Sequence, residues 1–290
     1  MRFSNGFPVI LNNYSDAAML EKYGLKPNDA ILAEEKHLGI YEDLLNNRSA
    51  VLLAGGAAQN TARGAQYILP PKSTVYIGCV GKDKYADILR EKNDAAGVRA
   101  EYLVDSKHPT GRCGVIITGQ DRSMCTDLAA ANEYKIDHLK SPEIWKLVKQ
   151  AQVYFVGGYH LTVSVPAILS LAEEAAANDK IFVLSLSAPF IPLFFKDQLA
   201  QTSKYWDYVI GNETEARSWA EGQGHETRDV KEIALLMAKL PKENEKRKRT
   251  VVITQGTEKT VVAVQGEKAV KEFGIVEVKK ESICDTTGAG

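Results

Sequence analysis

The sequence predicts an α/β fold in which a mainly parallel central sheet is flanked by helices, and three observations point to it. Short β-rich runs alternate with longer segments of helical period, the pattern left by strand–helix–strand crossovers. Those runs end at small or turn-forming residues, at Gly157-Gly158, Ser187-Ala188-Pro189 and Gly211, where a strand gives way to a helix. The chain has 290 residues, 44% of them hydrophobic, which is enough to bury the core of one large domain or two smaller ones.

In chain order, Val51-Leu52-Leu53 is a short apolar run, and Ala54–Ala65 opens a helix that must end by Pro70-Pro71. From Glu101 to Asp127 the pattern changes. Glu101–Val104, Gly114–Thr118 and Ser123–Asp127 are β-like pieces with turn residues and no helix between them. Strands joined in this way form an antiparallel flap beside a parallel sheet rather than part of it, and such a flap reads as a lid. The alternation is clean from Gln152 onward: Val153–Val156 is a strand, Pro166–Asn178 a helix, Ile181–Leu186 a strand and Leu193–Ala200 a helix. Tyr208–Ile210 is the next strand and Glu213–Ala220 the next helix. Val230–Lys239 is helical, with Leu236 and Met237 three and four residues after Ile233. A basic linker, Lys242–Arg249, leads into the strand Thr250–Thr254. The expected organisation is one α/β domain over 1–290 with a small β-rich lid built from about 8–30 and 101–131.

Lys and Arg number 36 and Asp and Glu 37, a net charge of −1. A field that weak holds neither a nucleic-acid backbone nor an anionic membrane, so small ligands are the expected partners. The four cysteines, Cys79, Cys113, Cys125 and Cys284, show no C-x-x-C pair, and no histidine stands at a metal-ligand offset from them, which disfavours zinc and a disulfide framework. Apolar runs such as Ala50–Ala58 fall far short of the roughly 18 residues of a membrane helix. The N-terminus lacks the apolar stretch and cleavage site of a signal peptide. The expectation is a reduced, soluble, cytoplasmic monomer.

Several stretches carry chemistry. Gly55-Gly56 stands at a strand-to-helix turn, where two glycines let backbone approach a ligand, and Asn60, one turn on, can face the same site. A plain tight turn is the alternative. The flap carries Arg112 and Arg122; a guanidinium there can swing onto a transferring phosphoryl group, or be a solvated surface arginine, and nothing local decides between the two. Asn212 and Glu215 have the Asn-x-x-Glu spacing of a capping box and sit where a hydrated Mg²⁺ and its nucleotide can also be organised. Thr254-Gln255-Gly256 ends a strand, where open α/β sheets place ligands. Asp285-Thr286-Thr287-Gly288-Ala289-Gly290 is a turn of small and polar residues whose amides can converge on an anion.

Together these residues resemble the ribokinase-like (PfkB-type) carbohydrate and nucleoside kinases. The matching stretches are Leu25–Asp29, Ala54–Ala65, Gly78–Lys84, Thr110–Asn132, Gly157–Ser164, Leu186–Phe190, Gly211–Ala216 and Asp285–Gly290. Asp121-Arg122-Ser123 ahead of Leu128–Asn132, and Ser187–Phe190, are similar to the adenosine-phosphorylating branch of that family rather than to its sugar kinases. The resemblance implies a ribokinase-like fold and transfer of the ATP γ-phosphoryl group to the 5′-hydroxyl of adenosine with Mg²⁺. By position, it implies that Gly55, Gly56 and Asn60 hold the ribose hydroxyls and that Leu128, His160 and Phe190 line or flank the nucleoside pocket. Arg122 would close over the phosphates, and Asn212 and Glu215 would organise Mg²⁺ and phosphate, Glu215 through water. Thr286 and Gly256 would lie near ATP, and Gly288, Ala289 and Gly290 would form an anion hole.

Two departures set further expectations. In the family an aspartate that takes the acceptor's proton follows the Gly-Ala-Gly element, and this sequence ends at Gly290. Loss of a general base lowers rates about 10²–10⁴-fold, so little AMP formation is expected of the 290-residue chain. Near the N-terminus Leu11 stands near the place of the family's ribose-gripping aspartate, with Asn12 or Asn13 as neutral hydrogen-bonding substitutes. A catalytically dead adenosine-binding or regulatory homologue and a sugar kinase of the same fold are the alternative readings.

Overall fold

The structure is a computed structural model that describes residues 2–3, 8–11, 17–27, 30–47, 50–119 and 121–278. The chain forms two compact units, Met1–Ser4 with Lys135–Glu277, and Asn5–Tyr134 with Val278–Gly290.

In the first unit, Arg2–Phe3, Val153–Gly157, Ile181–Ser185, Tyr208–Asn212 and Thr250–Gln255 pair in that order as parallel strands. Glu258–Val264 and Lys271–Phe273 extend the sheet antiparallel. Tyr154, Val156, Phe182, Leu184, Val209, Val251 and Ile253 are fully buried along these strands, as expected where helices cover a parallel sheet. The helix Val165–Ala177 buries Ala167, Ile168, Leu171, Ala172 and Ala175, a stripe at helical spacing.

Three details of this unit depart from the sequence reading or go beyond it. The helix expected over Leu193–Ala200 is two helices, Phe190–Phe194 and Lys196–Ser203. Phe195 joins them at φ −113°, its N–H bonding Ile191 O and its carbonyl accepting from Leu199 N, so one residue closes the first helix and opens the second. The strand expected to stop at Ile210 continues through Gly211 and Asn212, which face Ile253 and Thr254. Gly211 marks close packing rather than a strand end: a Cβ there would lie 2.8 Å from Leu186 Cδ1 and 3.0 Å from Glu215 Oε2.

The third detail concerns the basic linker, two of whose cations are buried. Lys242 Nζ pairs with Asp207 at 2.8 Å, both side chains buried. Arg249 has no exposed surface and donates to the carbonyls of Ser203, Trp206, Met237, Leu240 and Pro241. These carbonyls lie at or just past the C-terminal ends of Lys196–Ser203 and Val230–Ala238, where the last carbonyls lack helical partners and a cation meets the negative end of the dipole. Burial lowers the guanidinium to about 10, against the pull of Asp207.

The second unit holds a five-stranded sheet in the order Ala30–Leu32, Asp121–Ala129, Thr110–Thr118, Pro8–Leu11, Val51–Ala54. Its centre is the antiparallel hairpin of Thr110–Thr118 and Asp121–Ala129. The remaining pairs are parallel except Pro8–Leu11 with Val51–Ala54. Ile10, Met19, Leu20, Tyr23, Leu25, Ile40, Tyr41, Leu44, Ile116 and Cys125 form the core packed on this sheet. Glu101–Val104, expected in the flap, belongs to the strand Arg99–Val104, which pairs parallel with Val75–Val80. The helix Lys84–Ala95 between those two strands is the crossover that makes the pair parallel.

Candidate functional site

The candidate residues fall into two sets, one in each unit. In the second unit the strand Val51–Ala54 passes through Gly55 and Gly56, both buried, into the helix Ala57–Ile68. Gly56 has φ 96°, a conformation that strains an L side chain. Asn60 is exposed, and its N–H closes the first helical turn onto Gly56 O at 2.8 Å. Arg63 orients the Asn60 side chain, one nitrogen donating both to Asn60 Oδ1 at 2.6 Å and to Ala54 O at 2.7 Å. The Asn60 NH₂ then points away from the clamped oxygen as a donor.

The hairpin separates the two arginines. Arg112 stacks over the Tyr41 ring, 4.5 Å from its centroid, and lies 3.6 Å from Asp127. Arg122, facing Ile117 two pairs from the hairpin tip, is half-buried and has no ion-pair partner among the described residues. Leu128 is buried near the hairpin's base, where Gly111 is required because a Cβ would lie 2.5 Å from Leu128 O. That base is tied by Asp83, whose carboxylate accepts from Thr110 N and Thr110 Oγ1 at 2.7 Å each and from Tyr85 N and Ala86 N at the start of Lys84–Ala95.

In the first unit three successive parallel strands deliver the other set at their C-terminal ends. Val153–Gly157 leads into Gly158-Tyr159-His160, Ile181–Ser185 into Leu186–Phe190, and Tyr208–Asn212 into Glu213–Gly222. His160 is buried, and burial lowers its imidazole to about 3, so it is neutral at physiological pH. Phe190 is half-buried and meets Tyr159 edge to face, centroids 5.8 Å apart, and Phe195 at 6.4 Å. Tyr159, which the sequence reading did not single out, thus belongs to the same aromatic wall; its place in the quoted run beside His160 was the available signal. Ser187 is a second such residue: its hydroxyl accepts from Gly158 N at 2.8 Å and joins the first two strand ends.

At the third strand end the capping box is formed. Asn212 Oδ1 accepts from Glu215 N at 2.8 Å, and Asn212 N and Nδ2 donate to Glu215 Oε2 and Oε1 at 3.0 and 3.2 Å. Glu215 is buried, and its carboxyl is raised above the usual range, by burial first, against the Asn212 hydrogen bond and with Glu213 adding repulsion. No cationic side chain pairs with it among the described residues. A buried carboxylate that lacks a countercharge and keeps lone pairs beyond its two donors fits a hydrated Mg²⁺ held through water. Gly256 sits at φ 55° in the turn between Thr250–Gln255 and Glu258–Val264. Thr286 and Gly288–Gly290, like Asn12 and Asn13, lie outside the described residues.

One cluster was not expected. Asp105, His108 and Glu133 bring ligand atoms within 4.8 Å of one another. Asp105 Oδ1 already accepts from Lys107 N and His108 N, at 2.8 and 2.6 Å, and this turn accounts for how Asp105 and His108 meet without an ion. Among the described residues no helix is long and apolar enough to cross a membrane. Cys79, Cys113 and Cys125 are buried and form no disulfide among the described residues.

Comparison with known proteins gives the family and the fold. The pfkB family carbohydrate kinase description matches residues 17–290. The chain is 50% identical over 277 residues to adenosine kinase of Schizosaccharomyces pombe, covering 95% of this chain and 80% of that protein. Among solved structures it is similar to Anopheles gambiae adenosine kinase in complex with P1,P4-di(adenosine-5) tetraphosphate, at TM-score 0.96 and 42% identity over 99% of this chain and 84% of that one. It is also similar to adenosine kinase from Schistosoma mansoni in complex with 2-fluoroadenosine, at TM-score 0.93 and 32% identity over 99% and 84%.

Proposed function

Because the chain belongs to the pfkB family of carbohydrate kinases, we propose that it acts as an adenosine kinase, transferring the γ-phosphoryl group of ATP to the 5′-hydroxyl of adenosine to give AMP and ADP. The observation that carries this reading is the row of three strand ends bearing an aromatic wall, Tyr159 and Phe190, next to a buried, uncompensated carboxylate, Glu215. The C-terminal ends of parallel strands are where open α/β sheets bind ligands. An aromatic wall suits a purine, and a carboxylate without a countercharge suits a cation that accompanies nucleotide phosphates.

In this reading Gly55 and Gly56 bring backbone close to the ribose and Asn60 donates its NH₂ to a ribose hydroxyl, with Arg63 holding the amide in register. The imidazole of His160, neutral and buried, stands by the base, which keeps positive charge away from the adenine ring, and Leu128 of the second unit is a further nucleoside-flanking residue in this proposal. Arg112 is occupied by Tyr41 and Asp127, which leaves Arg122 as the flap arginine that neutralises the transferring phosphoryl group. Mg²⁺ would be held by Glu215 through water with Asn212 beside it, and it would supply charge neutralisation on the ATP phosphates. Gly256 and Thr286 would border ATP, and Gly288, Ala289 and Gly290 would offer amides to the phosphate in flight.

Calorimetric titration tests the reading: adenosine binds, and about a hundredfold excess of ribose or fructose leaves it bound, because a base-binding wall contributes affinity a free sugar cannot recover. When adenosine and ribose are offered together with MgATP labelled in its γ-phosphoryl group, whatever label is transferred enters AMP rather than a sugar phosphate. Displacement of adenosine by a free sugar, or label in a sugar phosphate, overturns the assignment.

A further inference from the structure

We propose that Ser187 is a positioning residue, a clasp between the two strand ends that carry Tyr159, His160 and Phe190, which sets the aromatic wall before a nucleoside arrives. The inference deepens the adenosine kinase reading and rests on it.

Ser187 stands at φ 69°. A non-glycine residue with positive φ is uncommon and persists where its surroundings enforce it. Here they do. The Ser187 hydroxyl accepts from Gly158 N at 2.8 Å, and its own proton is shared with Ser185, whose carbonyl and hydroxyl oxygens each lie 3.3 Å away. Behind this bond the two backbones are pressed together: a Cβ on Gly158 would lie 2.6 Å from Leu186 O and 2.7 Å from Ser185 O. Ala188 N turns back onto Leu186 O at 2.9 Å, which fixes the direction in which the chain leaves Ser187.

The clasp sits at the root of both arms of the wall. Gly158 is followed at once by Tyr159 and His160, and Phe190 comes three residues after Ser187. The Tyr159 and Phe190 rings meet edge to face at 5.8 Å, so a small rotation at the root opens or closes the wall. If a turn were all that position 187 required, glycine would serve without strain. Serine supplies what glycine lacks, an acceptor oxygen within reach of the Gly158 N–H. Backbone comfort and ligand affinity are therefore expected to separate at this position.

The experiment uses Ser187→Ala, which keeps the strain and loses the oxygen, and Ser187→Gly, which loses both. Adenosine and MgATP are titrated separately, melting is recorded, and exchange of the Gly158 amide proton is followed by NMR. Both variants are expected to raise the adenosine Kd about tenfold while the MgATP Kd stays within about twofold, the loss of one well-placed hydrogen bond. Ser187→Gly is expected to melt at or above Ser187→Ala although it binds no better, and Gly158 exchange quickens in both. Ser187→Asn, which tolerates positive φ and carries an acceptor oxygen, is expected to recover part of the affinity. Adenosine binding within about twofold of the unsubstituted protein, or adenosine and MgATP weakening in parallel with melting, overturns the clasp, since a single hydrogen bond is worth more than that at a working site. If the unsubstituted protein takes no adenosine, the proposed function fails first and the clasp falls with it. If it binds adenosine and Ser187→Ala binds equally well, the clasp alone falls.

Discussion

Asp83 and Glu215 are both carboxylates in the opening turn of a helix, one in each unit, and they are held in opposite ways. Asp83 takes four donors, Tyr85 N, Ala86 N, Thr110 N and Thr110 Oγ1. Partial burial raises its carboxyl, and these four bonds together outweigh it, leaving the group below its ordinary value of 3.8. Glu215 takes two donors, both from Asn212, and burial outweighs them, so its carboxyl stands above its ordinary value of 4.5. The oversupplied carboxylate is a tie: it caps Lys84–Ala95 and anchors the first residue of the hairpin that carries Arg122. The undersupplied one keeps capacity for a ligand. A difference in donor count between an N-cap acid and an N3 acid thus separates a structural acid from a candidate functional one.

Removing the tie is expected to give the larger effect. Asp83→Ala deletes an N-cap and leaves the Thr110 hydroxyl and N–H without their acceptor, an expected loss of about 2–3 kcal/mol in urea unfolding. Thr110→Val, which retains the cap and the backbone bond but removes the hydroxyl that donates to Asp83 and accepts from Gly81 N, is expected to lose about 1–2 kcal/mol. If Asp83→Ala unfolds with the same midpoint as the unsubstituted protein, donor count is no guide to what the residue does.

The comparison also shows what a linear reading can hold. The strands ending at Gly157 and Ser185 are legible because each is an apolar run closed by glycine or serine, whereas Tyr208–Asn212 is legible only as far as Ile210, since Gly211 reads as an end and is in fact inside the strand. The capping box is legible because its partners are three residues apart, and the hairpin because its strands are adjacent in the chain. What stays hidden depends on distant partners. Two of the four Asp83 donors come from Thr110, and the partner that occupies Arg112 is Tyr41. Arg249 reads only as the end of a basic linker because the five carbonyls that bury it belong to Ser203, Trp206, Met237, Leu240 and Pro241. Glu101–Val104 reads as flap because its parallel partner, Val75–Val80, is set by a crossover helix rich in charge. Tyr159 counts for the wall only once Phe190, on the next strand end, is placed beside it.

Acidity sharpens the contrast, since the two groups must change stability in opposite directions. The folded value of Asp83 lies below its unfolded one, so its contribution is complete above about pH 4 and is lost as pH falls through the folded value. The folded value of Glu215 lies above its unfolded one, so its protonated form favours the folded state at low pH, and that advantage is lost as pH rises from about 4.5 through the folded value. Asp83→Asn is expected to flatten the acid limb of a stability–pH curve, and Glu215→Gln to remove the decline above it. Unfolding midpoints at closely spaced pH read both, and slopes of one sign for the two groups would break the comparison.

The smallest expected change in stability is the most telling about function. Glu215→Gln keeps the acceptor for Asn212 N but sets an NH₂ against Asn212 Nδ2, while it removes the penalty of an ionised buried carboxylate at neutral pH. These terms oppose each other, so stability is expected to move by no more than about 0.5 kcal/mol. Affinity for MgATP is expected to fall about tenfold, because the amide cannot supply the negative charge that a hydrated cation seeks, whereas affinity for ATP without Mg²⁺ is unchanged. If MgATP binds the variant as well as it binds the unsubstituted protein, Glu215 is a member of a helix cap only, and its raised pKa records burial alone.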